Sequence, residues 1–166
     1  LDAAVEILRG HRVVAVTGAS NLVGTRPDLP ALAERAHAVG ALLWVDGVHH
    51  AAHSAVDVPA LGADVYVCSP YKFFGPHCGV LAADPALLET IHPDKLLPST
   101  EMVPERFELG TLPYEVLAGA TAAVDFLADL PGAGAVVEGS RRERLERSHA
   151  AVAAHEGELR GRLESG

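Results

Sequence analysis

The chain is short of cations. Its 166 residues hold 13 Lys and Arg against 22 Asp and Glu, a formal net charge of −9, and no basic stripe runs along it. A surface that tracks nucleic-acid phosphates needs clustered Lys and Arg, so the composition argues against that partner. Cysteine is scarce as well. Cys68 and Cys78 are the only two, which makes no disulfide framework and fits a reducing compartment. No apolar run approaches the ~20 residues of a membrane span, and nothing resembles a signal peptide. These absences lead to the expectation of a soluble cytoplasmic protein with no membrane partner. What is present is a chain that is 49% apolar, long enough for one domain with a real core.

Periodicity and punctuation set out the elements. Leu1 to Gly10 reads as the tail of a helix, and Val13 to Thr17 as an interior-type strand that needs neighbours on both sides. A polar loop, Ser20 to Thr25, follows. Asp28 to Val39 is an amphipathic helix with Leu29, Leu32, Ala33 and Ala36 on one face and Gly40 as its stop. Ala41 to Asp46 is a second apolar strand. Strand, helix, strand make a parallel crossover unit, which places Asn21 and Asp46 at one C-terminal edge, where ligands collect in open α/β sheets. A third, largely buried strand alternates Val65, Val67 and Ser69 against Tyr66 and Cys68. Pro70, Gly75 and Pro76 then interrupt it and leave Lys72 in a constrained turn. An amine at such an apolar place is costly unless something uses it or it reaches solvent.

Two local motifs invite other chemistry. His49 and His53 would share a helical face at i, i+4, yet the acid of H-E-x-x-H is absent and no distant third ligand stands out, so no metal is expected. His50 and His53 read as surface or supporting residues without an assigned role. Ser69-Pro70-Tyr71-Lys72 spells S-x-x-K, the nucleophile signature of penicillin-recognising acylases. Its partner tripeptides S-D-N and K-T-G do not occur, and Pro70 to Pro76 is a poor helix start.

A strand end carrying Asp and a later strand end carrying Lys is the arrangement a pyridoxal phosphate enzyme needs. The amine forms a Schiff base with the aldehyde, and the carboxylate pairs with the protonated pyridine nitrogen. The motifs around these two residues are Ala19-Ser20-Asn21-Leu22-Val23-Gly24-Thr25, Val45-Asp46-Gly47-Val48-His49 and Ser69-Pro70-Tyr71-Lys72-Phe73-Phe74-Gly75-Pro76. In this order they resemble those of the class V aminotransferases, the fold-type I group that contains cysteine desulfurases, selenocysteine lyases and kynureninases. A fourth element, Arg106-Phe107-Glu108-Leu109-Gly110-Thr111, resembles the family's F-E-x-G-T.

The resemblance implies an α/β fold: the central part of the large domain of the PLP-dependent transferases, a mostly parallel sheet flanked by helices. It implies pyridoxal 5′-phosphate as cofactor and an amino acid as substrate. Lys72, Asp46 and His49 take the catalytic roles. Asn21, Asp46, His49, Ser69, Tyr71, Lys72 and Thr111 take the cofactor-binding ones, with Thr111 reaching the phosphate of the neighbouring subunit in a homodimer with shared active sites. Pro104 to Pro113 would then lie at that interface, with Arg106 and Glu108 near the mouth of the neighbour's site. Read without the resemblance, Thr111 could equally cap the next helix. The implied activity is that of a cysteine desulfurase-like lyase or transferase. Desulfurases usually carry His where Tyr71 stands and kynureninases carry Tyr, so a kynureninase-like hydrolase or an amino-acid epimerase is the alternative.

Further along, Gly79 to Ala83 reads as a strand returning antiparallel, Pro85 to Ile91 as a short helix, and His92 to Pro104 as a loop of the long aperiodic kind that is often functional. Pro113 to Leu130 is helical and mostly buried. A last helix, about Val136 to Leu163, repeats Leu145, Val152 and Leu159 every seven residues. The resemblance divides the chain into a partial cofactor-binding large domain, 1–135, and a helix, 136–166, leading towards a small C-terminal domain. It covers the central part of the family's length, without the carboxylate-binding arginine or the desulfurase loop cysteine. Neither Cys68 nor Cys78 fits that loop, since both lie beside the cofactor strand. The chain is therefore expected to be a piece of a larger enzyme, and a folded, non-catalytic fragment that does not retain the cofactor is the reading of a different class.

Overall fold

The computed structural model describes residues 3–130 and 138–166. Helix α1 (Ala3–Leu8) leads into strand β1 (Val13–Thr17), helix α2 (Leu29–Ala38) and strand β2 (Leu42–Asp46). Asp28 caps α2 by accepting the Ala31 N–H at 3.1 Å, which satisfies one of the unpaired donors of its first turn. A short helix α3 (Val58–Leu61) precedes strand β3 (Val65–Cys68), and a 3-10 turn at Pro70–Phe73 carries the chain to strand β4 (Val80–Ala83) and helix α4 (Pro85–Glu89). Helices α5 (Tyr114–Asp129) and α6 (Arg141–Glu164) complete the described chain.

The sheet has the order β1-β2-β3-β4. β1 and β2 run parallel with Thr17 opposite Asp46, β2 and β3 parallel with Asp46 opposite Val67, and β3 and β4 antiparallel with Cys68 opposite Val80. The parallel crossover and the antiparallel return thus follow the expected pattern. The expected second neighbour of β1 is not there: β1 is the edge of the described sheet, and Val13 at its start is exposed. An apolar strand can end up at an edge when burial of one face alone supplies its packing.

That one face is the core. Leu29, Ala33 and Ala36 of α2 cover Leu43 and Val45 of β2 and Tyr66 of β3, all buried. Successive strand residues point to opposite faces, so Trp44 and Asp46 emerge on the other side of β2, exposed. α5 is less buried than its apolar pattern predicts: Ala123, Leu127 and Ala128 are buried, while Tyr114, Leu117 and Phe126 are exposed. The pattern reports two apolar sides, of which the described chain covers one.

α6 begins at Arg141, later than the pattern from Val136 suggests, because Ser140 and Glu143 form a capping box. In it the Glu143 carboxylate also accepts the Ser140 N–H at 2.8 Å. The suggested boundary at 135/136 lies outside the described residues. α6 is tied to α5 by Arg144 and Asp129 at 2.5 Å and to the segment after β2 by Arg142 donating to the Val56 carbonyl at 2.5 Å. Its heptad residues do not form a buried seam along its length, as Leu145 and Val152 are half-buried and Leu159 is exposed. Among the described residues, no helix is long and apolar enough to cross a membrane.

Candidate functional site

The C-terminal ends of β1, β2 and β3 lie side by side, and the loops leaving them carry Asn21, Asp46, His49, Ser69, Tyr71 and Lys72. The turn after β2 is built around a close approach. A Cβ on Gly47 would sit 2.0 Å from Cζ of Tyr66 and 2.2 Å from its hydroxyl, so only glycine admits the ring there. The Tyr66 hydroxyl donates to the Gly47 carbonyl at 3.4 Å and lies 3.1 Å from Nδ1 of His50. His50 is buried, which makes it the supporting residue of its two readings and not the surface one: it braces the turn from inside. Burial, and then the charge of Arg26, hold its pKa below the usual imidazole range. Burial, and then the neighbouring Cys68 and Asp46, push the Tyr66 phenol well up, so it stays a neutral donor.

Asp46 precedes this turn. One carboxylate oxygen accepts the Val48 N–H at 3.0 Å, which orients the group and leaves the other oxygen uncommitted. Lys72 lies in the 3-10 turn beyond β3, exposed, and its Nζ sits 5.1 Å from the centre of the Tyr71 ring. Such a contact is worth only ~0.5–1 kcal/mol at an exposed place, so the amine is readily given up to another partner. Tyr71 in turn stacks on His77, with centroids 5.0 Å apart.

The turn is held shut by the Gly75 N–H donating to the Pro70 carbonyl at 2.8 Å. Phe74 ends it at a left-handed φ of 69°, a conformation that costs a non-glycine residue ~1–2 kcal/mol. Its ring packs edge-on against Phe126 of α5 at 5.5 Å, a contact that helps to hold it there. Ser69 opens the turn without capping it, so its hydroxyl is unused. The thiol of Cys68 is pushed up by burial and then by Cys78, leaving it protonated beside the strand.

His49 lines a cavity of about 200 Å³ together with Ala19, Gly24, Arg26 and His53, and its ring lies against that of His53 with centroids 4.8 Å apart. His53 therefore has a place in this cavity rather than at an indifferent surface. Among the described residues, no group of three His, Cys, Asp or Glu side chains could hold a metal ion. Arg26 carries no sequence motif of its own. Only the folding of the loop after β1 onto the turn after β2 reveals it.

Thr111 lies ahead of α5, exposed, and makes no hydrogen bond among the described residues. α5 has Pro113 at its cap position with no side-chain bond, so Thr111 is not a local cap. Arg106, which the resemblance would put near a subunit interface, is buried within its own chain. It donates to Glu89 at 2.7 Å and to the Ile91 carbonyl at 3.3 Å, and so ties the 3-10 turn at Glu105–Phe107 to the end of α4.

A mostly parallel sheet whose strand ends deliver Asp46 and, among the described residues, a lysine without an acid partner fits the fold-type I large domain that the resemblance implies. The chain matches the family model "Aminotransferase class-V" over residues 2–148; it belongs to that family. It is 51% identical over 71 residues to an aminotransferase-like protein of Gibberella zeae, covering 42% of this chain and 18% of that protein. It is 37% identical over 132 residues to a cysteine desulfurase of Klebsiella pneumoniae, covering 72% of this chain and 32% of that one. Among solved structures it resembles the Escherichia coli cysteine desulfurase CsdA, with a TM-score of 0.65 and 33% identity, over 71% of this chain and 33% of that one. The chain thus spans a third or less of the length of each of these relatives.

Proposed function

We propose that this chain is the cofactor-anchoring part of a cysteine desulfurase-like enzyme that uses pyridoxal 5′-phosphate and acts on an amino acid. The observation that carries this reading is Lys72. The chain has two lysines, and Lys95 is engaged, donating to the Ser99 carbonyl at 2.7 Å and pairing with Glu101 at 2.8 Å. Lys72 has no acid partner among the described residues, and it follows the strand whose neighbour ends in Asp46.

The donor set suits that cofactor. Lys72 would anchor its aldehyde carbon through Nζ, the free oxygen of Asp46 would pair with the ring nitrogen, and the unused hydroxyls of Ser69 and Tyr71 would hold the phosphate. Asn21 and His49 approach from the loops after β1 and β2. When bound, the cofactor supplies an electron sink for charge that develops at the substrate's α-carbon. Asp46 would keep the ring nitrogen protonated, its carboxylate aimed by the Val48 N–H, and the Lys72 amine would take and return a proton at Nζ. Thr111 has no hydrogen-bond partner among the described residues, which supports its service to the phosphate of a second subunit and hence a homodimer with two shared sites. The names of the similar proteins support desulfurase chemistry over the kynureninase-like or epimerase alternative.

Borohydride treatment of the chain with pyridoxal phosphate, followed by peptide mapping, tests the reading. The reduced adduct should map to Lys72 and be absent from Lys72→Ala. An adduct that persists in Lys72→Ala, or that maps to Lys95, refutes it.

A further inference from the structure

One aromatic ring links the lysine to a residue that no motif singles out. The Nζ of Lys72 lies 5.1 Å from the centre of the Tyr71 ring, and the His77 imidazole stacks on the same ring, with centroids 5.0 Å apart and planes inclined by 15°. Lys72 is the chain neighbour of Tyr71. His77 is not, since the chain must first pass Phe74, at its left-handed φ of 69°, and the Gly75-Pro76 step. Tyr71 and His77 are both exposed, and neither makes a hydrogen bond or an ion pair among the described residues. The stack is therefore the contact that decides where these two rings stand.

The backbone on either side of the stack is fixed independently of it. The Gly75 N–H donates to the Pro70 carbonyl at 2.8 Å, and the Cys78 N–H to the Pro76 carbonyl at 3.0 Å. Pro76 packs on α5, where a Cβ at Gly119 would stand 3.4 Å from its Cγ. His77 thus starts from a held point, next to a proline whose φ is locked, and can support a side chain that is less well held. A stacked aromatic pair favours its contact geometry by about two- to tenfold, whereas an exposed tyrosine without a partner turns among its staggered wells. With the ring held, its face is a fixed place for an ammonium; with the ring turning, Lys72 has no such place.

We propose that His77 is a positioning residue for Lys72: stacked on Tyr71, it holds that ring as the resting place of the amine until an aldehyde takes it. The proposal rests on the reading of Lys72 as the anchoring amine.

Nuclear magnetic resonance of the lysine side chains tests this in the chain without cofactor. The chain has two lysines, so isotopic labelling at the lysine ε carbon gives two signals, told apart by Lys72→Arg. Lys95, bonded to the Ser99 carbonyl and paired with Glu101, is the internal reference and should stay in place in every variant. The ε protons of Lys72 should resonate upfield of their ordinary position, shielded by the ring face, and return to it in Tyr71→Leu. In His77→Ala the upfield shift should fall by about half or more, as loss of a stack of that strength requires. In His77→Phe, which keeps a ring and gives up both nitrogens, it should survive. A second readout is the borohydride-trapped adduct after brief exposure to pyridoxal phosphate: its yield at Lys72 relative to Lys95 should fall about two- to tenfold in His77→Ala and recover in His77→Phe. The proposal is overturned if Lys72 shows no upfield shift in the parent, or if the shift persists in Tyr71→Leu. It is equally overturned if His77→Ala keeps the shift or the yield of the parent, or if His77→Phe loses them as the alanine variant does. No adduct at Lys72 in the parent, with the shifts as stated, would sink the cofactor reading and not this one.

Discussion

Gly47→Ala should be among the most damaging small substitutions in this chain, although it adds a single methyl group next to an exposed aspartate. The added carbon would stand 2.0 Å from Cζ, 2.2 Å from the hydroxyl and 2.4 Å from Cε1 of Tyr66. A ring tip in solvent would swing aside. This one is only 3% exposed, packed with Leu43 and Val45 in the core, so it moves only by displacing β2 or α2. Overpacking of that kind costs ~1–3 kcal/mol. Moving the ring also gives up the hydroxyl's contact with His50, a further ~0.5–1.5 kcal/mol. The sum, ~1.5–4.5 kcal/mol, is a large share of the ~5–15 kcal/mol that stabilises a typical domain. Followed by circular dichroism in urea, it should lower the midpoint by ~1–2 M for a slope of ~2 kcal/mol/M. The partner is testable by a cycle. Tyr66→Phe removes the oxygen but leaves Cζ and Cε1 in the way, so Gly47→Ala should cost nearly as much in that background. Tyr66→Leu removes all three clashing atoms, and there the same substitution should cost under ~1 kcal/mol, as a tolerated core change does. A small effect in the parent, or an equal effect in the leucine background, refutes the steric argument.

Two further outcomes follow from the same geometry. Thr111→Ala should leave the urea midpoint within ~0.5 kcal/mol of the parent, as a surface substitution without bonds does, yet in the complete enzyme it should weaken retention of pyridoxal phosphate on dialysis; unchanged retention, or an active monomer, removes the cross-subunit role. Stability should also fall on mild acidification. His50 and His149 have folded-state pKa values below the ordinary one, so the stability gained by keeping them neutral is complete above the unfolded value of ~6.5 and is lost as the pH drops towards their folded values. Urea midpoints at pH 7.5, 6.5 and 5.5 should descend, and a flat series, or a His50 ring that titrates at or above the ordinary value, contradicts the burial argument.

The elements that sequence reveals most plainly are those whose pattern depends on a single buried face. α2 shows its apolar side at helical spacing and its cap at Asp28, and β2 shows Leu43 and Val45 alternating with Trp44 and Asp46, so the strand-helix-strand unit and the acid at its end are legible. Lys72 is legible for the same reason, since prolines and a glycine fence it off from a strand of clear period. What lies beyond reach depends on contacts distant in sequence. His50 looks like its neighbours His49 and His53, and only Tyr66, sixteen residues on, makes it a buried brace. Arg26 has no motif, because its partners Ser54 and His53 arrive from another loop. α5 and α6 show apolar repeats, but a repeat states which side could be buried and says nothing of whether a neighbour is there to bury it.

The motif Val45-Asp46-Gly47-Val48-His49 is therefore as much a packing requirement as a chemical one. Gly47 has its N–H bonded to the Val67 carbonyl at 2.8 Å and its carbonyl bonded to the Ala51 N–H at 2.8 Å, so the turn is clamped to β3 on one side and to the 3-10 turn at His50–Ala52 on the other. Gly18 makes the matching approach from β1, where a Cβ would stand 2.9 Å from that of His50. The buried ring of Tyr66 and the buried imidazole of His50 fill the space the two glycines leave. Asp46 and His49, on either side of this knot, consequently have little freedom in direction: one faces the open side of β2, the other the cavity with Arg26. Apolar packing beneath the sheet edge thus fixes both directions at once.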